Sequence, residues 1–368
     1  MLQRFLTYVL LFIVLSWSLL LAISIVAVHS SYEFVWWTGL LALAFPVLLF
    51  GEFVLLVFCL FVKWPFALIP LLFILGSWQN IKHYVAFSPN KTALQNKGET
   101  LKIISYNVNV FDLYNWTNNR ATKDSMLGLI KREDPDILCL QEFYTENAFS
   151  NFNTYKVLQE HYKYNYFHKG IELPGGKHWG LATFSKYPIL NNRTIGTTDN
   201  RLNLCLVSDI DVNGKSISIY NTHLHSYHVK EADLTRLNRN NEIDQNLGAI
   251  QNLLYKAKLA YTKRLQQVKA IKNDLNQNKL QSIICGDFND TPNSFPYRHI
   301  KSGMKDPFLE KGFGLGGTYR GGTITGRLPK VRIDFILCDT SFEVKSIDVL
   351  RYPYSDHYPL ISTLVLPE

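Results

Sequence analysis

The sequence has 368 residues, 47% of them hydrophobic, which excludes a peptide hormone, a disulfide mini-scaffold and a disordered tail. Its net charge of +8 is unevenly placed: Met1–Asn90 carries only Arg4, Lys63, Lys82, Glu33 and Glu52, a membrane composition. With three of the 38 basic and two of the 30 acidic residues assigned to that segment, Lys91–Glu368 is a soluble, basic domain of net charge +7.

Phe5–Val28 is uncharged, longer than the apolar core of a signal peptide and long enough to cross about 30 Å of hydrocarbon, so it reads as a first transmembrane helix. Phe34–Val62 is a second candidate, interrupted only by Glu52, to which no role is assigned. Trp64–Ile81 is a third, shorter one containing Pro65 and Pro70. Arg4 before the first span and Lys63 after the second, against no basic residue in His29–Glu33 apart from the histidine, mark the cytoplasmic side. Three spans place the soluble domain on the exported (periplasmic or extracellular) side, which is the expectation; two spans and a re-entrant third would leave it inside. Lys82, Lys91 and Lys97 count mildly against export.

The polar stretch Ser88–Glu99 reads as a linker, giving a transmembrane segment 1–87 of two to three helices, a linker 88–99 and a catalytic domain 100–368. Beyond it, short runs rich in β-branched residues read as strands: Leu101–Tyr106, Ile137–Leu140, Leu181–Phe184, Leu202–Ile210, Ser216–Asn221, Ser282–Cys285, Ile333–Leu337 and Ile361–Leu366. Lys123–Arg132 and the long Ile250–Leu275 carry helical spacing. The class is mixed α and β without an internal repeat. Cys59, Cys139, Cys205, Cys285 and Cys338 form neither a CxxC nor a Cys/His cluster of zinc spacing and read as core residues. Gly312–Gly326 is glycine-rich and runs into Arg327, Lys330 and Arg332. It reads as a surface loop or a phosphate cradle, without a GxxxxGK[ST] motif and without the strand-then-helix context of a dinucleotide fingerprint.

Polar residues recur at the strand ends, where the sites of α/β folds are built. In chain order they are Ser105-Tyr106-Asn107, Leu140-Gln141-Glu142, Asn221-Thr222-His223-Leu224, Gly286-Asp287-Phe288-Asn289-Asp290, Arg332-Ile333-Asp334-Phe335 and Ser355-Asp356-His357. Each alone is no more than a turn former or a cap. Together with Gly180–Ile189 (GLATFSKYPI), and in this order, they resemble the endonuclease/exonuclease/phosphatase superfamily of metal-dependent phosphodiesterases, over roughly residues 100–366. That resemblance implies a deoxyribonuclease I-like four-layer fold, a sandwich of two sheets flanked by helices, here behind an N-terminal transmembrane segment.

It also implies roles. Asn107, Glu142 and Asp356 are expected to hold the metal, Mg²⁺ or Mn²⁺, since carboxylate and amide oxygens suit a hard cation better than zinc. Asp287 is expected to orient or deprotonate the attacking water, with Asn289 donating to the phosphate or the attacking oxygen. His357 is expected to contact the phosphate and to pair with Asp334. His223, which abasic-site endonucleases lack, is read as a phosphate ligand or as the acid for the leaving oxygen. His225 and His228 are expected to face solvent or substrate, Asp290 to cap a turn, and Arg264 to lie either near the site or on the surface with its stem buried. Residues 226–280 form an insert relative to compact relatives, and its charged, amide-rich first half, Lys230–Asn246, is expected to form a surface cap near the site.

The expected function is a membrane-tethered phosphodiesterase whose substrate is nucleic acid, suited to the positive charge, or a phospholipid head group, suited to the bilayer anchor. A sphingomyelinase-like enzyme, an inositol-type phosphatase and a non-catalytic membrane-anchored binding module are the alternatives. Nothing in the sequence marks a protein partner.

Overall fold

The computed structural model describes residues 1–29, 31, 35–88, 98–147, 150–196, 201–227, 243–321 and 330–367. Most of the expected linker, His228, Arg327 and the first part of the 226–280 insert lie outside the described residues.

Helix α1 covers Leu2–Ala27, and the second apolar run divides into α2 (Trp37–Leu43) and α3 (Phe45–Val62). The division falls at Pro46, which has no amide hydrogen for the preceding turn and disfavours helical backbone in the residue before it. The third run is bent by 53° where Trp64–Gly76, containing α4 (Leu68–Gly76), meets α5 (Trp78–Tyr84). Two of these helices, α1 and α3, are long and apolar enough to cross a membrane, and the bent pair raises the number to three if it is one span. Glu52 is buried between helices, where it accepts a 2.5 Å hydrogen bond from Ser18 Oγ. After α5, strand β1 (Ala86–Phe87) pairs with β11 (Phe313–Gly314) of the following domain.

That domain is a two-sheet sandwich with helices outside, as the resemblance implies. Strands β2 (Thr100–Asn107), β3 (Ile137–Thr145), β4 (Tyr164–Leu173), β5 (Lys177–Ser185), β13 (Glu343–Val349) and β14 (Leu360–Val365) form the first sheet, in the order β13-β14-β2-β3-β5-β4. The second contains β6 (Ile189–Ile195), β7 (Cys205–Val212), β8 (Lys215–His223), β9 (Gln281–Asp287), β10 (Met304–Lys305) and β12 (Asp334–Asp339), in the order β10-β12-β9-β8-β7-β6. Among the described residues, only β2/β3 and β8/β9 are parallel pairs.

Because strand side chains alternate between faces, each central strand sends every second residue into the space between the sheets. Leu101, Ile103, Ile137, Cys139, Ile217, Ile219, Ile283, Cys285, Ile336 and Cys338 meet there. The opposite faces are covered separately. Ile104, Tyr106, Leu138 and Leu140 pack under α6 (Thr122–Glu133) through Met126, Leu127 and Ile130. Tyr220, Ile284 and Leu337 pack under α8 (Ile243–Gln277) and α9 (Phe295–Lys301) through Val268, Ile271, Tyr297 and Ile300. All five cysteines are buried free thiols.

Every strand read from the sequence is present, whereas β4, β6 and β13 carry no such signal. All three lie at sheet edges, and polar residues such as those of Tyr164–Leu173 and Glu343–Val349 dilute the apolar pattern. In β9, Gly286 has φ +138°, and a Cβ there would lie 1.8 Å from the Thr222 carbonyl oxygen of β8. Gly286→Ala is therefore expected to cost about 2–3 kcal/mol of stability, read as a lowered thermal unfolding midpoint of the full chain in detergent.

Candidate active site

The inward-facing rows of five strands turn from apolar to polar at one end of the sandwich. Along β2 the row is Leu101, Ile103, Ser105, Asn107; along β3 it is Ile137, Cys139, Gln141; along β8 it is Ile217, Ile219, Asn221, His223; along β9 it is Ile283, Cys285, Asp287. β12 runs the other way and begins with Asp334, opposite Asp287 in register, while His223 is the partner of Asp287 on the other side. Gln141 Nε2 donates to Asn221 Oδ1 at 2.7 Å, closing the apolar space with a buried polar bridge between the sheets. From the sequence, almost every strand is expected to carry its polar group at the C-terminal edge. Asp334 instead opens its strand, and Asp356 and His357 precede β14, because these strands are antiparallel to their neighbours and reach the same end from the other direction.

Glu142 is inside β3, where strict alternation would aim it under α6. The register shifts between Leu140 and Phe143, and Glu142 takes φ +50°, which turns it into the cleft. The chain after β2 is also forced: Asn109, Val110, Phe111 and Asp112 have φ of +42°, +47°, +55° and +58°, a rare conformation for a β-branched or aromatic residue. That turn delivers the Asn109 amide to Asn107 Oδ1 at 3.0 Å. Asn107 Nδ2 then donates to Glu142 Oε1 and to Asp287 Oδ2, each at 3.1 Å, linking the two sheets.

Asp287 lies at the centre. Its Oδ1 accepts the Asn289 amide at 2.8 Å, and its Oδ2 is 3.7 Å from His357 Nε2 and 3.8 Å from His223 Nε2. Asn289, at φ +52°, directs Nδ2 to the Leu224 carbonyl at 3.0 Å. His357 Nδ1 lies 2.9 Å from Asp334 Oδ2. Asp356 is half-buried; the preceding Ser355 Oγ donates to the Asn107 carbonyl at 2.9 Å and accepts the His357 amide at 3.1 Å, which ties this loop to the end of β2. Thus Asn107, Glu142, His223, Asp287, Asn289, Asp334, Asp356 and His357 are brought to one end of the sandwich.

Burial pushes the Asp287 carboxyl up to about 6; the charge of Asp334 adds to the shift and the two imidazoles oppose it. Burial and then the Asp356 charge raise Glu142. Burial alone would lower the His357 pKa, but Asp334 and Asp287 outweigh it and hold the imidazolium well above its ordinary range. His223 goes the other way, lowered by burial against the pull of Asp287, so it is neutral at pH 7. The site therefore holds one cationic and one neutral imidazole. The metal-ligating atoms of Asp287, Asp334 and His357 fall within 4.8 Å of one another, but the His–Asp hydrogen bond and the imidazolium charge oppose a cation inside that triple. Outside that triple, Glu142 and Asp356 are the remaining carboxylates at this end of the sandwich, and Asn107 turns Nδ2 toward Glu142 while its Oδ1 accepts the Asn109 amide.

The structure narrows the reading of several neighbours. Of the two alternatives for Arg264, the surface one is excluded, since it is fully buried: Nη1 donates to the His225 carbonyl at 2.8 Å, and Nε is 3.3 Å from Asp290 Oδ2. Asp290 Oδ1 accepts the Thr291 amide, so it caps the turn as expected and also pairs with Arg264. His225 is buried, which excludes the solvent-facing alternative, and its amide donates to Gln267 Oε1 of α8 at 3.0 Å. Two residues went unseen. Thr318 Oγ1 accepts the Ile333 and Asp334 amides at 3.1 Å, and the Tyr319 ring lies 5.0 Å from that of His357. Both belong to the glycine-rich run, where the sequence signal was a polar-aromatic pair inside a stretch otherwise read as loop.

A family model described as the Endonuclease/Exonuclease/phosphatase family matches residues 104–357. Another, described as a domain of unknown function, matches residues 5–84. No curated protein matches the chain. Among solved structures, an endonuclease/exonuclease/phosphatase from Beutenbergia cavernae is similar at 16% identity with a TM-score of 0.50, over 73% of this chain and 72% of that one. SmcL is similar at 17% identity with a TM-score of 0.50, over 73% and 99% of the two chains. At these identities the likeness is one of fold.

The raised Asp287 pKa has a measurable sign. Folding lifts it from about 3.9 in the unfolded chain to about 6, so its favourable contribution is complete below pH 4 and is lost as pH rises through 6. In EDTA, wild type is expected to lose on the order of 2–3 kcal/mol relative to Asp287→Asn between pH 4 and pH 7. Parallel stability curves for the two proteins in chemical denaturation would reject the assignment.

Proposed function

The chain belongs to the endonuclease/exonuclease/phosphatase family, whose members are hydrolases of phosphoester bonds, and we propose that it is a membrane-tethered, divalent-metal-dependent phosphodiesterase. The observation that carries this reading is the convergence on Asp287 of two imidazoles, two amides and the Asp334 carboxylate.

A phosphodiester resists attack because its own charge repels nucleophiles, so the site must neutralise the phosphate, activate water and protonate the leaving oxygen. The crowded carboxylates fit a hard cation: beyond the effect of burial, Glu142 and Asp287 are raised by the charges of neighbouring carboxylates. Glu142 and Asp356 would hold Mg²⁺ or Mn²⁺, and Asn107 would join them only with its amide turned over, since its Oδ1 accepts the Asn109 amide and its Nδ2 faces the carboxylates. When bound, that ion supplies positive charge against the phosphate. Asp287, ionised at neutral pH yet more basic than an ordinary carboxylate, takes the proton of the attacking water. Asn289 donates to the phosphate or the attacking oxygen. His357, kept cationic by Asp334, contacts a phosphate oxygen. His223 enters as a neutral hydrogen-bond donor to the phosphate or the leaving oxygen, which its lowered pKa favours over a fully charged acid.

The apolar helices α1 and α3 support the membrane tether, and if the bent pair is a third crossing the domain lies on the exported side. The substrate is nucleic acid or a phospholipid head group. A non-catalytic binding module is disfavoured because no member of the catalytic set is missing.

Full-length protein assayed on DNA, RNA, sphingomyelin and soluble inositol phosphates is expected to hydrolyse one class only with Mg²⁺ or Mn²⁺ present. Glu142→Gln is expected to lower that activity at least about 100-fold, since the carboxylate charge holds the cation. Activity untouched by EDTA rejects the metal. A reporter fused after Glu368 is expected to be active only in an exported compartment; a cytoplasmic signal reverses the topology.

A further inference from the structure

A simple tether would join the membrane helices to the catalytic domain through a linker and little else. Two of the contacts here are polar and buried, and they fall on the two loops that carry the site. Asn80 of α5 is 4% exposed and donates through Nδ2 to Asn293 Oδ1. Asn293, 1% exposed, lies four residues after Asn289 in the loop that follows β9, and its own Nδ2 donates to the Ser24 carbonyl of α1 at 3.2 Å. One asparagine of the catalytic loop thus holds two separate elements of the membrane segment.

The second contact is made by Arg332, two residues before Asp334. It is 3% exposed, with Nη1 donating to Asp306 Oδ2 and Nη2 donating to the His83 carbonyl in the last turn of α5, both at 2.9 Å. A helix leaves its final carbonyls without partners, so a buried guanidinium is a fitting cap there. The two loops are also bonded to each other: the Phe288 amide donates to the Ile333 carbonyl at 2.9 Å. The third contact is the β1–β11 pair, which leads into the Thr318–Arg320 strap over Asp334 and His357.

We propose that α5 is part of the catalytic scaffold, with Asn80 and the His83 carbonyl as positioning groups that hold the loop after β9 and the start of β12, so that Asp287 and Asp334 keep their separation only while the membrane helices are folded against them. This rests on the reading of Asp287 and Asp334 as members of the reaction site. Neither positioning group touches substrate; each acts through a loop two to four residues from the reacting groups. Membrane insertion thereby becomes a condition for full activity rather than an address, and a fragment lacking residues 1–87 loses Asn80 and the Ser24 carbonyl from Asn293 and the His83 carbonyl from Arg332, which keeps Asp306.

The test uses the full chain in phosphatidylcholine nanodiscs, comparing wild type, Asn80→Ala, Asn293→Ala, the double variant and Glu142→Gln, with Asn80→Ser as a second variant if Asn80→Ala does not accumulate. Loss of the tether is expected to lower kcat about 10- to 100-fold with KM within about twofold, as for a reacting group displaced from its geometry. The double variant should be no worse than the poorer single one. Amide exchange should rise in 288–293 and 332–335 and stay unchanged in β7, a pattern that general destabilisation would not give. Unchanged exchange in those two segments, exchange raised evenly across the domain, or full kcat despite local loosening each overturns the proposal. Should wild type hydrolyse none of the substrates, the reading of the site as hydrolytic fails, and the exchange pattern alone decides whether α5 holds the loops.

Discussion

The strict two-residue alternation of a β-strand is the constraint on which the rest depends. Five strands direct every second residue into one narrow space, and on each the row passes from Leu, Ile or Cys to Asn, Gln, His or Asp at the same height. The candidate active site is therefore the polar end of the inter-sheet core, and its precision is inherited from sheet register. Slipping β9 by one residue against β8 would exchange Asp287 for Gly286 or Phe288 and bury the carboxylate under a helix. Packing of Ile219, Ile283 and Ile336 deeper in the same rows is what prevents that slip.

Placing four carboxylates at one end of such a core creates repulsion that the surrounding residues relieve in different ways. His357 answers Asp334 with charge, Asn107 spans Glu142 and Asp287 with hydrogen bonds, and Asn289 returns its amide to Asp287. Burial, with the repulsion left uncompensated, raises the Glu142 and Asp287 carboxyls and suits the site to a cation. Backbone strain collects at the same place, at Glu142, at Asn289 and in the left-handed turn after β2, which points to geometry imposed by the site rather than by local propensity.

Much of this was legible in the sequence because the informative residues are short-range: GDFN, RIDF and SDH each fix a polar group within a few residues of a β-branched run. The central strands were readable for the same reason, being buried on both faces. The rest depends on tertiary context. The bulge that turns Glu142 into the cleft leaves no mark in Leu140-Gln141-Glu142, and Arg264 is buried by a loop and a carboxylate far from it in the chain. Polar edge strands resemble loops, and Tyr319 joins His357 only because a glycine-rich strap crosses the cleft. Asn80 and Asn293 are 213 positions apart, and no pattern in either neighbourhood announces the pair.

The sealed thiols have a consequence of another kind. Cys139 and Cys285 lie in the inward rows of facing sheets, and burial holds the Cys139 and Cys205 thiols above the range in which thiolate forms. With no disulfide to make among its five cysteines, the chain can mature alike in a reducing or an oxidising compartment. An alkylating reagent can reach Cys139 and Cys285 only when the two sheets part. The rate of their labelling is thus an internal clock for opening of the sandwich, read without any reporter added to the protein.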